Sequence, residues 1–551
     1  MKIGLAQLNY HIGNFTDNTA AIISEVKKAR EHQTDLLIFS ELAICGYPPL
    51  DLLEYKEFID ECVQSVNQIT PVCTDIGVLI GTPTINPLPT GKKLHNSVCF
   101  IYEGRIQEIY HKTLLPTYDI FDEYRHFEPN TDFRLLKFNG KKIAITICED
   151  LWYDQPFENE FANNRLYTIN PMDRLIPLNP DLIINLAASP FSYTKIETKK
   201  SIFINTAKHY RLPCIYVNQV GGQTELIFEG GSLAINKQGE IIRELKYFNT
   251  ETAYIEIDEL INNDLKPMAF PPQDTTAMIH DAIILGIRDY FSKNNFSGAI
   301  IGLSGGIDSA VTLVLAARAL GNNNVRVLIM PSDYSSEHSL KDAVALSKKL
   351  GVQYDIINIQ KLFNLFREEL SPFFSDIPED ITEENIQSRI RNLLLMACSN
   401  KFGIILLNTS NKSETAVGYG TLYGDMAGGL SVLGDVYKTD VYRIANYINS
   451  KEKIIPDGIL TKPPSAELKP GQKDTDALPD YEILDKILFE YIEHKKSPQE
   501  ISRSGYDYKL AEQIIRMVNH SEFKRYQTPP VLRISSKAFG PGRRMPLVAK
   551  Y

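Results

Sequence analysis

The feature that most narrows the fold lies near the middle of the chain. A short β-branched run, Ala299-Ile300-Ile301-Gly302-Leu303, meets the turn Ser304-Gly305-Gly306-Ile307-Asp308-Ser309 and then an Ala/Leu-rich stretch from Ala310 to Ala317. The first run reads as a buried parallel strand and the longer stretch as a helix. A strand feeding a helix through a glycine turn belongs to an α/β fold. Glycines let backbone N–H groups approach an anion, and the new helix adds its free N–H groups and positive dipole end. Gly302, Leu303, Ser304, Gly305, Gly306, Ile307, Asp308 and Ser309 therefore form a candidate phosphate cradle. A bare carboxylate would repel phosphate, so Asp308 makes sense as a holder of Mg²⁺. No Gly-Lys-Ser/Thr closes the turn, which excludes a Walker A loop.

The segments that follow keep alternating. Val325–Met330 predicts a strand, Glu337–Leu350 a helix closed by Gly351, and Tyr354–Ile357 a strand. Glu383–Cys398 predicts a helix and Gly403–Leu407 another strand. The expected architecture is a doubly wound, Rossmann-like parallel sheet with a nucleotide at the carboxyl ends of its strands.

At 551 residues the chain is too long for one core. Residues 266–274, rich in proline, break both periodicities and mark a linker between domains at 1–265 and 275–551. A helix over Ala277–Tyr290 then leads to the strand before the cradle. The first domain also alternates strands and helices. Three of its strand-like runs end at Glu41, Lys112 and Cys148, where open α/β sheets build sites. Taken singly, these are a cap, a surface charge and a small buried hydrophobe. Together they can hydrolyse an amide. A thiol with its ordinary pKa of about 8.5 is mostly protonated at neutral pH. Glu41 can take its proton, while Lys112 favours the thiolate and then the oxyanion.

The strings around these residues carry a resemblance. Ser40-Glu41-Leu42, His111-Lys112 and Ile147-Cys148-Glu149-Asp150 resemble the nitrilase family of amide hydrolases, which implies a four-layer α-β-β-α sandwich with the matching Glu, Lys and Cys as catalytic set. The Tyr-Asp-x-Phe-Asp-Glu and Ala-Ser-Pro-Phe strings resemble the pocket of nitrilase-type glutaminase domains. That implies glutamine binding by Tyr118, Phe121, Glu123, Ser189 and Lys195. The stretch Pro156–Pro180 is longer than that family usually has.

The glycine turn resembles the pyrophosphate loop of N-type ATP pyrophosphatases. Glu384–Arg391, Thr409–Glu414, the glycine-rich Gly418–Gly429, Lys524–Gln527 and Ser535–Gly540 follow in order behind it. With the first domain, they resemble the glutamine-dependent NAD⁺ synthetases over essentially the whole chain. The resemblance implies ATP at the 302–309 loop and Thr409, and Mg²⁺ at Asp308 and Glu414. It implies deamido-NAD⁺ at Asn385, Glu414, Asp425 and Lys524. The implied reaction is adenylylation of deamido-NAD⁺ followed by amidation with ammonia released at Cys148. Ammonia must cross between the sites unprotonated, so an enclosed passage and a homo-oligomer that helps to enclose it are expected. Two other readings stay open: an amidotransferase that adenylylates a different acceptor, and a non-catalytic nucleotide-binding protein. Ile454–Pro479, rich in Pro, Asp and Lys, reads as a lid, an interface loop or a plain surface loop.

Composition argues against two classes of partner, and the resemblance implies small-molecule substrates. A net charge of -10 and the absence of a basic tract argue against nucleic acid. No run is long enough to cross a membrane, and the seven scattered cysteines lack metal-site spacing, so a cytoplasmic protein with free thiols is expected.

Overall fold

The computed structural model describes residues 1–154, 166–262, 264–268, 274–375 and 377–550. The chain forms two compact units, Met1–Pro272 and Gln273–Tyr551. Part of the expected linker, 269–273, and part of the long 156–180 stretch, 155–165, lie outside the described residues.

The first unit holds two six-stranded sheets. One runs β14 (Glu251–Glu256), β1 (Lys2–Gln7), β2 (Leu36–Ile38), β3 (Gly77–Ile85), β4 (Leu94–Tyr102), β5 (Arg105–His111). The other runs β13 (Ile241–Glu244), β12 (Leu233–Ile235), β9 (Cys214–Asn218), β8 (Leu182–Ala187), β7 (Lys141–Ile147), β6 (Leu136–Phe138). A separate hairpin pairs β10 (Val220–Gln223) with β11 (Leu226–Glu229). Side-chain alternation sorts the first sheet into two faces. Ile3, Leu5, Leu36, Ile38 and Leu79 pack with Ile143, Ile145 and Ile184 of the second sheet. Ala6, Leu37, Phe39, Val78 and Ile80 pack instead with Ile22 and Val26 of α1 (Phe15–Glu31) and Phe58, Cys62 and Val66 of α2 (Lys56–Ile69). The second sheet is covered by Met172 and Leu175 of α3 (Pro171–Leu175) and by Ile202, Phe203 and Ala207 of α4 (Ile196–Tyr210). A short α5 (Ile257–Asn262) follows β14. These are the four layers expected.

The second unit is built on a five-stranded, all-parallel sheet in the order β17 (Gln353–Ile356), β16 (Val325–Ile329), β15 (Ala299–Gly302), β18 (Ile405–Asn408), β19 (Leu430–Ser431). β15 sits between β16 and β18, so the chain's crossovers leave it in opposite directions. That is the switch point at which doubly wound sheets bind ligands. The helices α6 (Thr275–Lys293), α7 (Ile307–Leu320) and α12 (Lys438–Lys451) pack together. Between α7 and α12 come α8 (Glu337–Leu350), α9 (Gln360–Phe374), α10 (Ile381–Phe402) and α11 (Lys412–Val417), with α10 against β15 and β18.

Three boundaries differ from expectation for local reasons. α10 starts at Ile381 because Asp380 accepts from the Thr382 N–H in a capping box with Glu383. It runs to Phe402, where Gly403 at φ 65° ends it, so the next strand begins at Ile405 rather than Gly403. α9 carries no core-facing stripe to betray it: Phe363 is its one buried residue. The Ile454–Pro479 stretch holds a short helix, α13 (Asp457–Thr461). No helix among the described residues is long and apolar enough to cross a membrane.

Candidate functional site

Two sites form at strand ends, one in each unit. In the first, Glu41 follows β2, Lys112 follows β5, and both side chains are fully buried. Lys112 Nζ donates to Glu41 Oε1 at 2.7 Å and to Glu123 Oε1 at 2.8 Å. Glu41 Oε1 also accepts from Asn96 Nδ2 at 2.7 Å, and its Oε2 accepts from the Ala188 N–H at 3.0 Å. Glu123 further accepts from the Tyr47 hydroxyl at 2.8 Å. Burial works against the charge on Lys112, but Glu123 and Glu41 outweigh it and hold the ammonium. Burial pushes Glu123 up to about 7, against the pull of Lys112.

Cys148 follows β7 at φ 42°, in the left-handed region, so its thiol is aimed by a strained elbow. Burial and then Glu41 push its pKa well up, and Lys112 opposes them without prevailing. Lys112 thus acts in the direction expected, towards the thiolate, but burial and Glu41 outweigh it, which suits a base that takes the thiol proton during attack.

The residues expected at the glutamine pocket are placed as follows. The Tyr118 hydroxyl donates to Glu149 at 3.0 Å, and the Phe121 ring stands edge-on to Tyr118 at 5.5 Å. Tyr167 also donates to Glu149, at 2.8 Å. Glu123 is paired with Lys112. The Ser189 N–H is held by Asn218 at 2.9 Å. Lys195 is exposed at the start of α4. The lysine buried against Ser189 is Lys199, one turn on, which donates to the Ser189 and Pro190 carbonyls and to Glu229.

In the second unit the whole loop Gly302–Ser309 lines a cavity together with Thr409, Glu414 and Asp425. Gly305 has φ 79°, and a Cβ there would meet the Ser339 carbonyl at 2.4 Å, so only glycine fits. Asp308 sits in the first turn of α7. It accepts from Asn411 Nδ2 at 2.9 Å and from Lys438 Nζ, which also reaches Glu414 at 3.4 Å. Burial pushes Glu414 up to about 8 against the pull of Lys438, with Asp308 and Asp474 adding to the rise. Asp308 and Glu414 thus share one lysine, with the Asp474 carboxylate close enough to be felt by both Lys438 and Glu414. Excess carboxylate oxygen around a phosphate loop suits a hard divalent cation, so the residues present fit Mg²⁺.

The remaining expected residues converge on one glycine-rich loop. Asn385 Oδ1 accepts from the Thr421 hydroxyl at 2.7 Å, and Asp425 Oδ1 from the Thr421 N–H at 2.6 Å. Lys524 Nζ donates to the Gly418 and Gly420 carbonyls at 2.8 Å each.

Comparison with known proteins places each unit in a family. The carbon-nitrogen hydrolase family model matches residues 2–263, and the NAD synthase model matches 279–528. A glutamine-dependent NAD(+) synthetase of Synechocystis sp. is 44% identical over 555 residues, covering 100% of this chain and 99% of the relative. The chain belongs to the glutamine-dependent NAD(+) synthetase family. The glutamine-dependent NAD(+) synthetase of Acinetobacter baylyi is 40% identical, covering 99% of this chain and 98% of the relative. A solved structure of the Acinetobacter baumannii glutamine-dependent NAD+ synthetase, in complex with ADP, is similar with a TM-score of 0.78 at 37% identity, covering 99% and 98% of the two chains.

Several groups in this member of the glutamine-dependent NAD(+) synthetase family were not read from the sequence. Lys438, Asp474 and Arg391 line the cavity, as do Lys462 and the segment Pro463–Leu468. Arg391 donates from Nε to the Met330 carbonyl at 3.1 Å, and burial lowers it to about 10. With 58 Lys and Arg in the chain, nothing local singles out these few. Lys462 binds Glu467 and Ser339, which folds part of the 454–479 stretch over the phosphate loop. In the first unit, Glu149 stood beside Cys148 in the quoted string, but only the fold reveals the two tyrosines on it.

Proposed function

We propose that this chain converts deamido-NAD⁺ to NAD⁺ at the expense of ATP, with glutamine as the nitrogen donor. The observation that carries the reading is the cluster in which buried Lys112 lies between Glu41 and Glu123 beside Cys148, on the same chain as a glycine loop headed by Asp308.

In the first unit the Cys148 thiol attacks the carboxamide carbon of glutamine as Glu41 takes its proton. The ammonium of Lys112 stabilises the oxyanion. Glu41 returns the proton to the departing ammonia and leaves a thioester. Water, deprotonated by Glu41, opens the thioester to glutamate and frees the thiol. Tyr118, Phe121, Glu149, Ser189 and Lys195 border the substrate.

In the second unit the nicotinate carboxylate of deamido-NAD⁺ attacks the α-phosphate of ATP. The bond to the bridging oxygen breaks and pyrophosphate leaves. Ammonia then attacks the acyl carbon of the adenylate, and AMP departs. The Gly302–Ser309 backbone and Thr409 cradle the triphosphate. Asp308 and Glu414 would hold Mg²⁺, which would neutralise phosphate charge. Lys438 and Arg391 add fixed cations. Asn385, Asp425 and Lys524 shape the loop that receives the dinucleotide. The reading requires ammonia to pass between sites without protonation.

α9 exposes Leu365, Phe366 and Phe373, and the edge strand β17 exposes Ile356, which supports self-association. Seven unpaired cysteines support a reducing, cytoplasmic setting.

The test is pyrophosphate release with glutamine and ATP against a panel of carboxylate acceptors. Release that depends on deamido-NAD⁺ supports the reading. Release with another acceptor and none with deamido-NAD⁺ overturns it.

A further inference from the structure

Cys148 and Lys112 stand on different sheets. Lys112 follows β5 of one, and Cys148 follows β7 of the other. Facing sheets pack through side chains, which tolerate small slides, whereas catalysis does not. A specific tie between the two strand ends is therefore needed.

Asp150 supplies one. It is buried, two residues past the nucleophile. Its Oδ2 accepts from the Ile147 N–H at 2.9 Å, which closes the elbow from which Cys148 projects. Its Oδ1 accepts from the Thr113 N–H at 2.9 Å and the Leu114 N–H at 2.8 Å, the two residues that follow Lys112. One carboxylate thus bridges the sheets at the site. An ionised side chain in such a place needs full hydrogen bonding to be tolerated, and here both oxygens are used. The elbow needs this support, because φ 42° at Cys148 persists only where its surroundings over-determine it. The Asn185 side chain adds a weaker hold, donating to the Cys148 carbonyl at 3.3 Å.

We infer that Asp150 is a positioning residue for the glutamine half-reaction, registering the Cys148 elbow against Lys112 across the two sheets. The inference rests on the reading of Cys148 as nucleophile. Asparagine at 150 matches the shape of aspartate but has a single acceptor oxygen. If that oxygen faces Thr113 and Leu114, an N–H₂ group faces the Ile147 N–H, and the elbow is released. If it faces Ile147, the tie between sheets is lost.

The test compares the native chain with Asp150→Asn and Asp150→Ala. The rate of Cys148 alkylation by iodoacetamide is read by mass spectrometry of its peptide. Steady-state turnover is measured with glutamine and, separately, with ammonium. A displacement of about 1 Å costs about a hundredfold in rate, so kcat with glutamine should fall by that order while KM stays within about threefold. Alkylation should slow in the order native, Asn, Ala, and turnover with ammonium should be unchanged. The inference is overturned if Asp150→Asn keeps both alkylation rate and glutamine kcat within about twofold of native. It is equally overturned if turnover with both donors falls together with the melting midpoint, since Asp150 would then hold up the chain and not the site. Cys148→Ala separates the two levels. Should that variant still use glutamine, the reading of Cys148 fails whatever Asp150 does.

Discussion

Lys438 reaches from α12 to Asp308 at the head of α7, 130 positions earlier in the chain, and touches Glu414 with the same nitrogen. One ammonium therefore compensates two carboxylates in the cavity that the phosphate loop lines. Its removal leaves like charges facing each other with little solvent.

Lys438→Met is expected to abolish pyrophosphate release with either nitrogen donor, by more than about a hundredfold. Breaking a buried pair on one side costs roughly 3–5 kcal/mol, so the second unit should also melt earlier. Glutamine hydrolysis should survive. Parallel assays of pyrophosphate and glutamate check this, and full synthetase activity in the variant would contradict it.

Gly305→Ala tests the cradle. The methyl group would meet the Ser339 carbonyl at 2.4 Å and sit on a residue at φ 79°. The loop must move, and its N–H groups with it. The KM for ATP should rise by about tenfold or more while glutamine hydrolysis is untouched. Calorimetric titration with ATP gives the answer directly.

The Glu123 carboxyl gives a pH signature. Burial raises it to about 7 from an ordinary value of about 4.5. Between those values the folded chain binds the proton that the unfolded chain has released. Its stabilising contribution is full below about 4.5 and is lost as pH rises through about 7, with a slope of up to ~1.4 kcal/mol per pH unit. Glu123→Gln cannot titrate, so its melting midpoint should decline less than that of the native chain over this range. Parallel curves would contradict the assignment.

Much of this was legible before any coordinates. Strand ends at Glu41, Lys112 and Cys148 follow from short apolar runs, and the glycine turn before Asp308, set between a strand-like run and a helical one, points to an α/β fold. What stayed hidden is whatever depends on pairing between distant segments. Glu123 neighbours Tyr118 and Phe121 in the string, and its pairing with Lys112 shows only in the fold. Lys199, buried against Ser189 one turn after Lys195, carries no mark in the sequence. Lys438 begins a helix with an unremarkable sequence, and only the sheet brings it to Asp308. Local pattern fixes elements, but a lysine's partner is decided by topology.

Both halves of the account meet in one experiment, the rate of NAD⁺ formation by Cys148→Ala with glutamine and with ammonium chloride as alternative donors. The account predicts no product from glutamine and a native rate from ammonium. Loss of both rates, or retention of both, would contradict it.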